Sequence, residues 1–380
     1  MSSGAGRAVI ISAVHDYRMT RRGSIQQIAD AFVRAGYDTT FVSVRFSPLS
    51  LMKNDPRSFL WSRANRLERQ NDVGCYLWRT PFHPFATGNV GRDRVTAPLH
   101  DLYAHWPNAE LDAILASASV LVVESGLGIV LIRRARRLNP SANLIYYSAD
   151  ALEVIAAHPA LQRILEKSAP AIDHCSLLAR RMAPGFRWAR AGTYHLPSGV
   201  HPPDFENRGA NPYEAPVNAV SVGSMLFDEG FFDHAADAFP DVQFHVIGSR
   251  SGLRARANVR LYPEMRFAEM LPYVAHATIG LAPYRAEAHA EYLSESSLKL
   301  THYDYLRLPA VCPHFAAGDH PHRFGYTPGD AAEIRTALNG ALASRDTPFV
   351  SRTWHWDDLL PRLVRPRDYP DTAIPAEMFG

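Results

Sequence analysis

Short apolar runs alternate with longer amphipathic stretches along this chain, and the alternation begins twice, which restricts the fold to a layered α/β architecture. Residues 8–13 predict a strand that leads into a loop over 15–22. Ser24 with Gln27 predicts a capping box for a helix running to Ala35, Gly36 predicts its end, and residues 39–44 predict the next strand. This is a βαβ unit. Further strands are expected at 73–78, 120–123, 144–147, 172–177 and 193–196, with helices at 111–117, 129–137 and 159–167. A doubly wound parallel sheet accommodates that order.

Residues 201–216, HPPDFENRGANPYEAP, are polar and rich in Pro, Asn and Gly, and read as a linker. The rhythm then restarts, with strands expected at 219–222, 242–247, 259–262, 278–282 and 310–312, and helices near 231–238, 267–275, 298–306 and 331–342. Residues 354–363 predict a last helix. A chain of 380 residues with 47% hydrophobic content can bury large cores, and beyond roughly 250–300 residues one core usually divides into two. The expected organisation is a Rossmann-like domain over 1–200, the linker 201–216, a second Rossmann-like domain over 217–352, and a segment 353–380 that crosses back to the first.

No apolar run approaches the roughly 20 residues of a membrane span, and the N-terminus MSSGAGRAVIISAV has neither a basic leader nor a cleavage site. A cytosolic or peripheral protein is expected. Cys75, Cys175 and Cys312 lie far apart in apolar, strand-like segments, which favours buried thiols over a disulfide or a metal site. Charge is asymmetric: residues 1–200 carry a net +9 and residues 201–380 a net −7. Aromatics interleave with the basic residues at 44–70 and 76–85, which suits an anionic surface. No nucleic-acid fold signature appears, so the expected partner is an anionic membrane contacted through Arg63, Arg66 and Arg69, with an ordinary solvated arginine-rich face as the competing reading.

The stretch 291–313, EYLSESSLKLTHYDYLRLPAVCP, points to chemistry. Ser294, Ser296 and Ser297 precede an amphipathic run of Leu298, Leu300, Tyr303 and Leu306, and Pro309 stops it before an apolar strand. The free N–H groups of a helix start, with the positive end of its macrodipole, suit a phosphate. Lysine occurs only at positions 53, 167 and 299 in a chain with 40 basic residues, which singles out Lys299 in the first turn. A serine-capped surface helix whose lysine faces water is the competing reading. Residues 296–311 resemble the pattern S-x-x-K-x-x-x-Y-x-x-x-x-x-P-x-V that closes the donor pocket in GT-B sugar-nucleotide transferases, which favours a diphosphate site.

AVSVGSMLFD (219–228), FHVIGS (244–249), YPEM (262–265), LAPY (281–284), SSLKL (296–300) and RFGYTPG (323–329) resemble, in order and spacing, the C-terminal half of the GumK family of membrane-associated glucuronosyltransferases. HDYRMTRR (15–22), CYLWRTPFHPF (75–85), ESG (124–126) and YYSAD (146–150) extend the likeness over nearly the whole chain. The resemblance implies a GT-B fold of two Rossmann-like lobes facing each other across a cleft. It also implies metal-independent, cofactor-free, inverting transfer of glucuronate from UDP-glucuronate to a mannose on a polyprenyl-diphosphate carrier, at the cytoplasmic face of a bacterial inner membrane during exopolysaccharide assembly. The absence of an Asp-x-Asp triplet agrees on the metal.

Residue by residue, the resemblance places Asp150 as the catalytic base, after the strand 144–147. Asp150 as the N-cap of a helix at 151–157 competes with that role. Glu153, His15 and Asp16 are the alternative bases; Glu124, which also ends a strand, is expected to orient acceptor or base, and it lies with His15 and Asp16 on the acceptor side. Met225, Glu264, Tyr284, Ser296, Ser297, Leu298, Lys299 and His302 are the expected UDP-sugar contacts: Glu264 as acceptor for ribose or uracil, Tyr284 packing on the nucleotide, Met225 lining the same cleft. The family has methionine where Leu298 stands and glutamine where His302 stands, and it differs at Ser198–His201. His302 therefore hints at another UDP-sugar as donor, and a non-catalytic sugar-nucleotide-binding assembly partner is the remaining alternative.

Overall fold

A computed structural model of the chain describes residues 6–248, 252–254, 256–288 and 290–380; Ser249 of the 244–249 motif lies outside them. The chain forms two compact units, one running to Pro197 and including Trp356–Gly380, the other Ser198–His355.

Among the described residues the first unit holds eight strands: β1 (Arg7–Ser12), β2 (Asp38–Phe46), β3 (Leu67–Gln70), β4 (Val73–Arg79), β5 (Val120–Glu124), β6 (Asn143–Ser148), β7 (His174–Leu177) and β8 (Thr193–His195). They lie in the order β3-β4-β2-β1-β5-β6-β7-β8, parallel throughout except for β3 against β4. Both faces of the parallel strands are covered, so β1, β5 and β6 are apolar and buried almost from end to end. The strand order reverses between β1 and β5, where open α/β sheets bind ligands outside the strands' carboxyl ends.

Three local expectations shift. The helix Ser24–Arg34 is capped one residue early: Gly23 is the N-cap, and the Gln26 side chain accepts from its N–H at 2.7 Å. Ser24 instead accepts from the Tyr147 hydroxyl at 3.2 Å, and Gln27 accepts from the Trp356 indole. Residues 151–157 form turns, not a helix. β3 escapes a hydrophobicity reading because LERQ is a mostly exposed edge strand. Around it Arg63 pairs with Glu68 at 2.7 Å and Arg69 with Asp38 at 3.3 Å, so two of the three arginines expected at a membrane already have carboxylate partners.

The second unit opens with β9 (Gly199–Val200) and then builds, among the described residues, a six-stranded parallel sheet of β10 (Asn218–Val222), β11 (Gln243–Ile247), β12 (Val259–Tyr262), β13 (Ile279–Leu281), β14 (Ala310–Pro313) and β15 (Arg323–Tyr326). Its order, β12-β11-β10-β13-β14-β15, is the doubly wound pattern with its switch point between β10 and β13. β16 (Trp354–His355) pairs with β9, the strand on which the departure at Ser198–His201 falls. Residues 201–216 pack on this unit. Phe205 is buried against Val200 and Leu271, and the Tyr213 hydroxyl donates to the Tyr273 carbonyl at 2.5 Å. Two aromatic anchors outweigh the polar composition that reads as a linker.

The helix Trp356–Val364 belongs to the first unit. Asp357 pairs with Arg34 at 2.7 Å, and the Leu363 and Val364 carbonyls accept from His174 and Asn143.

Candidate active site

In the first unit the chemistry collects at the carboxyl ends of β1, β5 and β6. Glu124 ends β5 buried inside the protein, where a carboxyl oxygen accepts from the Ser12 hydroxyl at the end of β1. Burial, opposed by that hydrogen bond and reinforced by the charge of Asp150, pushes the Glu124 carboxyl up to about 8. It therefore keeps its proton at neutral pH. Ser12 also accepts from the His15 N–H at 3.1 Å, which ties the loop after β1 to the same point. Burial and the charges of Arg21 and Arg57 lower His15 to about 4, so its ring is neutral.

Asp16 is satisfied on every side. Its carboxylate takes two bonds of 2.8 Å from the Arg18 guanidinium and one of 2.7 Å from Ser43. Burial alone would raise this carboxyl, but the Arg18 bonds and charge hold it below the usual range. It anchors the loop and has no oxygen to spare for an acceptor, which corrects the sequence expectation for this residue.

Asp150 follows β6. Its N–H donates to the Ser125 hydroxyl at 3.2 Å, and Ser125 N–H donates to the Tyr147 carbonyl at 3.0 Å, so the backbone of the Asp150 turn is fixed against the end of β5. With turns rather than a helix over 151–157, Asp150 has no helix start to cap. Its side chain is half-buried at the carboxyl end of the strand, on the same edge of the sheet as Glu124.

In the second unit the corresponding edge is built around the helix Leu298–Tyr305. Tyr303 fixes this helix to the sheet: its hydroxyl donates to the Val220 and Leu281 carbonyls, each at 3.1 Å, on β10 and β13. Gly280 permits the contact, since a Cβ there would stand 2.5 Å from the Tyr303 ring. Asp304 on the same helix accepts from His320, Ser351 and Thr353, each at 2.7 Å, binding the segment before β16.

Ser297 caps the helix by accepting from Leu300 N–H at 3.3 Å, and shares a 2.6 Å hydrogen bond with the Tyr284 hydroxyl. Lys299 lies half-buried with its ammonium 4.9 Å from the centre of the Tyr284 ring. Tyr284 is only 2% exposed, so it supports Lys299 and Ser297 rather than offering a face for a base to stack on. Ser296 is buried and Leu298 half-buried beside them. Arg323, at the start of β15, adds a second cation by donating to the Ser294 carbonyl at 2.6 Å; its position at the head of RFGYTPG was the available signal.

Gly223 and Gly248, both with positive φ (84° and 78°), follow β10 and β11. A Cβ built on Gly248 would lie 3.8 Å from the Glu264 backbone and 3.9 Å from that of Gly223, so three loops converge without side chains between them. Glu264 is exposed there and Met225 half-buried. The Met225 loop is tied to the Tyr284 loop by Arg285 N–H donating to Leu226 O at 2.7 Å. His302 differs from its expected place: it is buried edge-on to Phe205 and Phe267 with ring centres 5.4 Å away, and burial lowers it to about 4. It is a neutral packing residue.

A cavity of about 450 Å³ bordered by Arg136, Asn143, His174 and Arg367 lies at the opposite, amino-terminal ends of β6 and β7, away from all of these groups.

Comparison with known proteins bears on the family and the fold. Residues 10–178 match the family described as glucuronosyltransferase GumK, N-terminal domain. The chain is 38% identical over 367 residues to the UDP-glucuronate:glycolipid 2-beta-glucuronosyltransferase of Xanthomonas campestris pv. campestris, spanning 96% of this chain and 91% of that protein. Among solved structures it resembles the trehalose-6-phosphate synthase OtsA, with TM-score 0.57 and 13% identity over 94% of this chain and 96% of that one. It also resembles the UDP-forming α,α-trehalose-phosphate synthase of Burkholderia xenovorans, with TM-score 0.56 and 13% identity over 95% and 96%. At such identities those structures speak to the GT-B fold alone.

Proposed function

The chain belongs to the GumK family of glucuronosyltransferases, and from that premise we propose that it transfers glucuronate from UDP-glucuronate to a mannose hydroxyl of a lipid-linked oligosaccharide, inverting to a β-linkage. The observation that carries the reading is Asp150, a half-buried carboxylate at the carboxyl end of β6 with no helix to cap, beside a Glu124 that keeps its proton.

Asp150 takes the proton of the attacking hydroxyl as the new C1–O bond forms, and the bond from C1 to the diphosphate breaks with its electrons passing to UDP. The charge that develops on the departing diphosphate is met by Lys299, the Ser297-capped helix start and Arg323, all fixed before the reaction. Glu264 binds ribose or uracil, and Met225 lines the nucleotide. These groups replace a divalent ion. The direct test is a donor screen with purified protein, several UDP-sugars and a lipid-linked trisaccharide. Transfer is expected from UDP-glucuronate and to be unchanged by EDTA; another preferred donor overturns the donor assignment, and strong chelator inhibition overturns the metal-free mechanism.

The reaction takes place on the cytoplasmic membrane face. Among the described residues no helix is long and apolar enough to cross a membrane. The first unit instead exposes apolar side chains on neighbouring segments: Met52 (80% exposed), Val90 (77%) and Val95 (80%), with Leu51, Phe85 and Leu102 also outward. Lys53 over the Phe85 ring at 4.0 Å joins the two segments, and Arg92 and Arg94 add positive charge. Such a mixed surface lies in the headgroup region of an anionic bilayer. Met52→Glu with Val95→Glu should reduce co-sedimentation with phosphatidylglycerol vesicles several-fold without altering UDP binding. Arg63→Glu, Arg66→Glu and Arg69→Glu together should have a smaller effect, because two of those arginines are ion-paired; the reverse ranking returns the contact to the arginine face.

A further inference from the structure

The carboxyl end of β2 holds an arginine in an unusual state. The register of β2 with β4 breaks between Ser43 and Phe46, and Arg45 inside that bulge has φ of 61°, a region that residues with side chains seldom adopt. Two buried side chains enforce it. The Tyr103 hydroxyl accepts from Arg45 N–H at 2.9 Å, and the Arg57 guanidinium donates to the Arg45 carbonyl at 2.9 Å. Arg57, itself 1% exposed, also donates to the Ala13 and Val44 carbonyls and takes both oxygens of Asp55. Strained backbone maintained by its surroundings is found where a side chain must be aimed.

What is aimed has no partner inside the unit. The Arg45 guanidinium is half-buried and makes no hydrogen bond or ion pair among the described residues, and Asp55, the nearby acid, is occupied by Arg57. Lys53 and His83 complete the surroundings, with Ser47 hydrogen-bonded to the buried His83 ring at 2.9 Å. Burial and the charges of Arg45, Arg57 and Lys53, opposed by that of Asp55, lower His83 to about 4, so three cations surround it against one carboxylate. An anion with several acceptor oxygens is the complementary ligand.

We propose that Arg45, with Lys53, forms a phosphate-binding subsite for the acceptor, an inference that rests on the transferase reading above. β2 stands three strands from β6, about 14 Å at ~4.8 Å per strand, so Arg45 and Asp150 lie on one sheet edge with room for sugar residues between them. Leu51 and Met52 directly precede Lys53, whose ammonium lies over Phe85, and Phe85 follows β4, the next strand beyond β2 from β6. Base, cation and apolar surface thus follow one another in the order sugar, phosphate and lipid tail of a lipid-phosphate-linked saccharide.

The test uses Arg45→Asn and Arg45→Gly, both of which suit the left-handed backbone and so preserve the fold. With UDP saturating the donor site, inorganic pyrophosphate should bind the wild-type protein and bind both variants at least about tenfold more weakly. The KM for a diphosphate-bearing oligosaccharide acceptor should rise by a similar factor, while that for the same oligosaccharide lacking phosphate should not move. Unchanged pyrophosphate binding, or equal effects on both acceptors, overturns the subsite. Sedimentation with phosphatidylglycerol vesicles should be unaltered; its loss with acceptor KM unchanged would assign the cation to phospholipid headgroups and overturn an acceptor role. Were the wild type to transfer to neither acceptor, the transferase reading would fall, and the pyrophosphate titration would still decide the fate of Arg45.

Discussion

Asp150→Asn should leave UDP affinity near that of the parent and lower turnover by about a hundredfold or more, because a general base acts on the transition state and not on donor binding. The neighbouring groups make the result diagnostic. Glu124 is protonated up to about pH 8 and cannot accept at neutral pH. Asp16 is saturated by Arg18 and Ser43. His15 is neutral, but burial and the charges of Arg21 and Arg57 oppose the imidazolium that proton transfer would create. Glu153 is the remaining carboxylate of the same turn. Retained turnover in Asp150→Asn would move the base to Glu153 or the His15 loop, and parallel loss of UDP affinity would indicate a misfolded turn.

Glu124 supplies an internal check by a different observable. Its folded pKa lies above the ordinary carboxyl value, so the stability its protonated form provides is fully present below roughly pH 4 and is lost as pH rises through about 8. Glu124→Gln keeps an acceptor for Ser12 without the ionisation, and its melting temperature should gain on that of the parent as pH rises over that window.

The α/β rhythm was legible because fully buried parallel strands must be apolar runs, and β1, β5, β6, β10 and β11 are. The missed pieces share a cause. β3, with the sequence LERQ, and β15, with RFGY, are held by backbone pairing at sheet edges, which leaves a weak hydrophobic signal. Lys299, Ser297 and Tyr284 announced themselves through scarcity and spacing, and the fold brings them together. His302 did not announce that it faces Phe205, a residue 97 positions earlier in a segment that reads as polar linker. Nor could Arg45 be singled out among so many arginines, since its distinction is a backbone angle enforced by Tyr103 and Arg57 from elsewhere in the chain.

Lys299→Ala should weaken UDP-sugar binding and transfer by more than about tenfold, since a charge-assisted phosphate contact is worth roughly 1.5–3 kcal/mol. The geometry says why this cation is hard to replace. Its helix is pinned to β10 and β13 through Tyr303, its first turn is capped by Ser297, and its ammonium rests over the Tyr284 ring. Potential held in place before the diphosphate departs costs no reorganisation as the bond breaks. Tyr284→Phe, which keeps the ring and loses only the bond to Ser297, should therefore cost less than Lys299→Ala. A folded Lys299→Ala protein with unchanged UDP affinity and rate would remove the residue from the donor site and leave Arg323 with the capped helix start to hold the leaving group. Equal losses in the two variants would instead make the ammonium a packing element of the Tyr284 cluster, with no charge contact of its own.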